Sequence, residues 1–155
     1  ADGLAGSASV WDVVGQQTVF APMPVGPYYN LDQWDGYPED RQRVWELLRE
    51  RPNPVVVTGD IHAAGVARLH HDLEDATSER IGTELVGTSV SSTFPADLVD
   101  AAESLIGGLP WIEYDNAGQR GYTVVDLTAY DEHGEWEILR EGGMSRGDLI
   151  AALGR

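Results

Sequence analysis

One stretch constrains the fold of this chain more than any other: Val55-Val56-Val57-Thr58-Gly59-Asp60-Ile61-His62. Three consecutive valines favour a strand, because β-branched side chains pack well on a pleated, buried surface. Pro52 and Pro54 stop whatever precedes the run, and Gly59 ends it. An aspartate and a histidine then follow, two residues apart. In extended backbone, residues i and i+2 point to the same side, so Asp60 and His62 are expected to converge on one point. That point lies just past the carboxyl end of a buried strand, where open α/β architectures place their chemistry. A hard carboxylate oxygen beside an imidazole nitrogen is a donor mix used for iron, zinc or manganese. The same residues also fit a plain strand-end turn, with Asp60 capping a loop and His62 on the surface.

The flanking elements follow from the same kind of pattern. A strand is expected over residues 13–20, and the three prolines Pro22, Pro24 and Pro27 make 21–29 a loop. A helix is expected over 38–49. Pro38 suits its first position, Glu39 and Asp40 suit its positive end, and Val44, Leu47 and Leu48 form an apolar stripe flanked by Trp45. After the central run, strands are expected over 66–73 and 82–87, then a hydroxyl-rich loop over 87–93. A second helix is expected over 95–106, with Leu98, Ala102 and Leu105 on one face and Gly107-Gly108 ending it. Three further strands are expected over 111–114, 121–128 and 135–139, the last two forming a hairpin across Asp131-Glu132-His133-Gly134. A short helix capped by Ser145 closes the chain. The fold class is therefore mixed α/β (α+β), with strands dominating the second half.

Charge and composition exclude whole classes of chemistry. Acidic residues outnumber basic ones 26 to 10, for a net charge of −16. That balance argues against nucleic-acid binding and against docking on anionic membrane, both of which need surplus Lys or Arg. It suits bound cations, and it equally suits a solvated acidic surface. Every basic residue is arginine, so Schiff-base, P-loop and Ser-Lys chemistry are absent. With no cysteine, disulfides, zinc fingers and thiol nucleophiles are excluded within the chain. No run approaches the about 18 apolar residues of a membrane span. The amino terminus has neither an initiator Met nor the basic and apolar regions of a signal peptide, so the chain is expected to be a mature or cleaved piece of something longer. At 155 residues and 42% hydrophobic content it is one domain's worth of chain with enough apolar material for a core.

Other polar groups carry weaker signals. Asn30-x-Asp32 offers two oxygen donors with Asp35 and Gly36 close behind, a faint likeness to a calcium loop. It fails as an EF-hand, since Trp34 takes the fifth place and Arg41 the twelfth; an Asx turn leading into a helix fits it as well. Gly87-Thr88-Ser89-Val90-Ser91 lacks the second glycine of a nucleophile elbow and is expected to line or support a loop. His70, His71 and His133 are expected on the surface. Asn116 and Arg120 sit at a strand junction; Arg120 suits an anionic group, or a purely structural role.

Five blocks, in order, carry a resemblance to a known family. They are Gly15-Gln16-Gln17-Thr18-Val19-Phe20-Ala21-Pro22, Asn30-Leu31-Asp32-Gln33-Trp34-Asp35-Gly36-Tyr37, Thr58-Gly59-Asp60-Ile61-His62, Glu84-Leu85-Val86-Gly87-Thr88-Ser89-Val90-Ser91-Ser92, and Tyr114-Asp115-Asn116-Ala117-Gly118-Gln119-Arg120-Gly121-Tyr122. The Asp-Gln-Trp-Asp-Gly-Tyr block is the specific one; Gly-Asp-x-His is weak by itself. Over about residues 11 to 128 the chain resembles the C-terminal part of the PhoD-like (alkaline phosphatase D) metallophosphatases. The resemblance implies a calcineurin-like β-sandwich flanked by helices, with a metal cluster at one edge. It implies hydrolysis of phosphomonoesters or phosphodiesters, including phospholipase D-type activity, with iron (Fe3+) and calcium as cofactors. Asp60 and His62 then fall to the metal and phosphate site as catalytic candidates. Asn30 and Asp32 become calcium-side ligand candidates, and Asn116 and Arg120 substrate-binding candidates.

The departures from the family shape a further expectation. Its upstream Gly-Asp-x-x-Tyr-type and Gly-Asn-His-type blocks, and its cysteine iron ligand, are not in this sequence. Residues 1–140 are therefore expected to be the C-terminal part of a metallophosphatase domain, and 141–155 a tail or short helix. An N-terminal fragment or chain of the same enzyme would supply the rest of the metal site, and this chain would be inactive alone. The family context implies a secreted, extracellular or periplasmic protein, exported folded and metal-loaded. A non-catalytic domain that keeps the fold and binds calcium or a partner is the competing reading.

Overall fold

The computed structural model describes residues 3, 6–9, 11–24 and 30–123. The valine run forms strand β2 (Pro54–Thr58), with Pro54, Val56 and Thr58 turned inward. It is flanked by β1 (Asp12–Gly15), and β3 (Ala64–His70), β4 (Arg80–Val86) and β5 (Ile112–Asn116) complete a five-stranded sheet of order β1-β2-β4-β3-β5. β1 and β4 run parallel to β2, while β3 lies antiparallel between β4 and β5. Four strands thus point the same way and only β3 is reversed. The carboxyl ends of β1, β2, β4 and β5 and the amino end of β3 share one edge of the sheet.

Helix α1 (Pro38–Leu48) covers one face of the sheet with Arg41, Trp45 and Leu48, spaced four and three residues apart. Trp45 and Leu48 join Phe20, Ala21, Val56, Ala67, Leu69, Leu73 and Trp111 in the core. The expected stripe of Val44, Leu47 and Leu48 is therefore turned: Leu47 is 43% exposed and Arg41 only 4%. The guanidinium of Arg41 tolerates burial because Asp35 lies 2.5 Å away. Helix α2 (Val99–Ile106) packs beside β5. It begins later than expected, since residues 95–98 form a turn closed by Leu98 N donating to Pro95 O at 2.9 Å. Leu98 and Leu105 remain about half exposed, at 50% and 48%.

Two strand expectations shift for identifiable reasons. The first strand stops at Gly15 instead of running on to Phe20. Gln16 N makes the last ladder bond, to Val57 O at 3.0 Å, and the chain then leaves the sheet to cross its covered face. The third strand starts at Ala64 and ends at His70, where Nδ1 meets Ser78 O at 2.7 Å. His70 is consequently buried at 4%, not on the surface as expected, while His71 is exposed. On the opposite face Val13 and Val57 stand 55% and 41% exposed, beside the half-buried Val55, Thr83 and Leu85. Among the described residues no helix is long and apolar enough to cross a membrane. Most of the expected 121–128 strand, the 135–139 strand, their hairpin, His133 and the closing helix lie outside the described residues.

Candidate active site

The edge shared by four carboxyl ends carries the Asp60–His62 turn and the loops that follow β4 and β5. β2 ends at Thr58, whose carbonyl accepts one more parallel ladder bond from Gly87 N at 2.8 Å. Beyond it the backbone is not extended. Ile61 N donates to Gly59 O at 3.0 Å, closing a three-residue turn with Asp60 at its centre and φ 74°. That is the rare γ-turn of positive φ. His62 also sits in the left-handed region, at φ 58°. Both side chains are exposed. Asp60 and His62 are therefore not i, i+2 neighbours on extended backbone: they sit on a tight, strained turn at the strand end. Positive φ in residues other than glycine costs on the order of 1–3 kcal/mol each, and such residues cluster at functional sites.

The neighbouring loops are tied to this turn. Thr88 Oγ1 lies 3.2 Å from His62 O and 3.0 Å from Gln119 O, so its single proton bridges the turn to the loop after β5. Arg120 Nη1 donates to Ser91 O at 3.1 Å, and Gly121 N to Ser89 O at 3.2 Å. Asn116 Oδ1 accepts from Gln119 N at 2.8 Å. Asn116 and Arg120 thus brace the loops in this structure, although Arg120 stays exposed. The serine-rich segment supports a loop, as its sequence suggested.

Asn30 and Asp32 are both exposed, and Asp32 N donates to Asn30 Oδ1 at 3.0 Å, the Asx turn. The rest of their block explains its own spelling. A Cβ on Gly36 would sit 2.8 Å from Leu31 Cα and 3.1 Å from Asn30 O, so only glycine lets the short 3-10 turn Trp34–Gly36 close on that backbone. Trp34 Nε1 donates to Gln16 Oε1 at 3.0 Å, and its ring meets Phe20 edge-on at 5.6 Å. Asp35 turns inward, accepting from Met23 N at 2.9 Å and pairing with Arg41.

One residue of this region escaped sequence reasoning. Glu84, in the central strand, is fully buried between Val56 of β2 and Ala67 of β3. Its Oε1 accepts from Phe20 N at 2.8 Å and from Thr58 Oγ1 at 2.5 Å, and its Oε2 from Ala21 N at 2.7 Å. Burial pushes its carboxyl above the usual range. The Phe20 amide, the Thr58 hydroxyl, the Ala21 amide and the charge of Arg41 oppose that shift. The available signal was alternation: Gly82, Glu84 and Val86 share the inward face of β4, so an acid stands where an apolar residue is the rule.

Among the described residues, no three His, Asp or Glu side chains come close enough to hold a metal. Asp60 and His62 fit a metal by donor chemistry and by exposure on a fixed turn, but they supply two ligands at most. Fold and site together define a mixed α/β domain with polar loops collected at one sheet edge around an Asp-x-His turn. A family model described as PhoD-like phosphatase matches residues 1–136, and the chain belongs to that family. It is 34% identical over 143 residues to alkaline phosphatase D of Bacillus subtilis (strain 168), covering 88% of this chain and 24% of the relative. A solved structure of PhoD superposes with a TM-score of 0.68 at 36% identity, covering 80% of this chain and 24% of that one. The chain thus spans about a quarter of the length of these relatives.

Proposed function

We propose that this chain forms one wall of the active site of a metal-dependent phosphoester hydrolase. The carrying observation is the turn itself: an aspartate and a histidine, both at positive φ, both exposed, at the sheet edge where the loops after β4 and β5 meet it. Asp60 and His62 would hold metal and face the phosphate, and Asn30 and Asp32 would offer oxygens to calcium. Iron and calcium are the metals the family reading favours. When bound, such ions neutralise the phosphoester's charge and lower the pKa of a coordinated water. The chain's own residues orient and brace: Thr88 fixes the backbone of His62, and Arg120 is exposed beside the serine loop to meet an anion.

The remaining ligands would come from an N-terminal part of the same enzyme, and export in the folded, metal-loaded state accords with the family reading. Aryl phosphates and their bis-aryl analogues separate monoesterase from diesterase or phospholipase D-type activity. In the full-length protein, Asp60→Asn and His62→Ala are each expected to cut turnover by at least about 100-fold, a loss of roughly 2.7 kcal/mol of transition-state stabilisation. Near-normal rates in both variants would overturn the site assignment. Elemental analysis finding no iron in the purified protein would favour a non-catalytic binding domain.

A further inference from the structure

We propose that Glu84 is a positioning residue that clamps the Asp60–His62 turn and the residue 20–23 strap into a single site. The inference rests on the hydrolase reading of that turn, and the geometry of the clamp stands apart from it. The strap crosses the covered face of the sheet without pairing as a strand. Phe20 N and Ala21 N donate to Glu84, Pro22 O accepts from Trp111 Nε1 at 2.9 Å, and Met23 N donates to Asp35 Oδ2 at 2.9 Å. Each of these partners is a side chain. The position of the strap is therefore set by side-chain chemistry, and two of its four anchors are the two oxygens of one carboxylate.

The same carboxylate reaches the candidate site. Its Oε1 is shared between Phe20 N and Thr58 Oγ1, so displacement of the strap is felt at Thr58. Thr58 is the last residue of β2, and Gly59 alone separates it from the strained Asp60. On the far side, Asp35 and Trp34 fasten the strap and Gln16 to the block that carries Asn30 and Asp32. Glu84 thus joins the segments that bear all four candidate ligands. Packing alone does not call for an acid here. Valine or leucine would fill the volume between Val56 and Ala67 but leave the buried amides of Phe20 and Ala21 and the Thr58 hydroxyl without an acceptor. Only an acceptor with two oxygens can take both strap amides and the Thr58 hydroxyl together.

The test uses the full-length protein and four variants. Thr58→Val removes the hydroxyl and keeps the shape, whereas Thr58→Ser keeps the hydroxyl. Glu84→Gln keeps the size but turns an NH2 donor toward backbone donors. Val56→Ala disturbs the same layer without touching the clamp. Thr58→Val and Glu84→Gln are expected to lower kcat on an aryl phosphate by roughly 10–100-fold with KM unchanged. Both should also speed amide hydrogen exchange at Phe20 and Ala21. Thr58→Ser is expected to retain kcat, and Val56→Ala to lower the melting temperature while retaining kcat. Normal kcat and normal exchange in Thr58→Val would overturn the clamp, as would equal damage from Thr58→Ser. If Glu84→Gln does not fold, the Thr58 pair decides. If Asp60→Asn and His62→Ala keep full turnover, the hydrolase reading fails, and exchange at Phe20 and Ala21 still decides the clamp.

Discussion

A carboxylate among valines titrates on terms that burial sets. The folded-state pKa of Glu84 is raised, with desolvation the leading cause. Its favourable contribution is therefore fully present below the ordinary glutamate range and is lost as pH rises through the raised value. Arg41 is the charge that acts on it from α1 and moderates the loss. Urea titrations across pH are expected to show the native protein losing stability over that window. The Glu84→Gln variant, with nothing to titrate there, should lack that component; parallel curves would refute this account. At this scale the sequence marked Asp60 and His62 as candidates by residue type, but their i, i+2 spacing converges only on extended backbone, which the turn does not have. It did not disclose Glu84, Asp35 or Arg41, whose partners lie up to 64 residues away. Nor could it give the left-handed backbone of Asp60 and His62, since neither is a residue that announces positive φ as glycine does.

Elements were more legible than their partners. α1 was readable from proline at its start, acids in its first turn and an apolar stripe, and β2 from its valines. Errors fell where a polar interaction outweighed hydropathy. The stripe of α1 turned because the Arg41–Asp35 pair lets an arginine take an inward place. The first strand ended early because Glu84 captures the amides of Phe20 and Ala21, which a longer strand would have spent on a ladder. In both cases apolar periodicity described the local preference correctly, and a distant carboxylate decided the outcome.

At the scale of the whole molecule, the meeting of the Asp60–His62 turn with the loops after β4 and β5 depends on strand order. The order β1-β2-β4-β3-β5, with only β3 reversed, puts those loops side by side, and no local pattern specifies it. The blocks themselves were recognisable from sequence, and their match to PhoD-like phosphatases agrees with the fold. On the opposite face of the sheet Val13 and Val57 stand exposed, an apolar surface that the N-terminal part proposed above would cover. Native material is expected to resolve on a denaturing gel, or by intact mass, into a longer chain or a second chain. A single 16.9 kDa species with full phosphatase activity would refute this expectation.

The strap across the sheet also fixes an order of events in time. Its bonds join residues 63, 64 and 89 positions apart, whereas β3 and β4 are joined by one short connection. Loop closure favours near contacts first. The hairpin of β3 and β4 can therefore form early, whereas the strap must wait until β4 and Trp111 are both in place. The bonds that tie the strap to the candidate site therefore close after that hairpin.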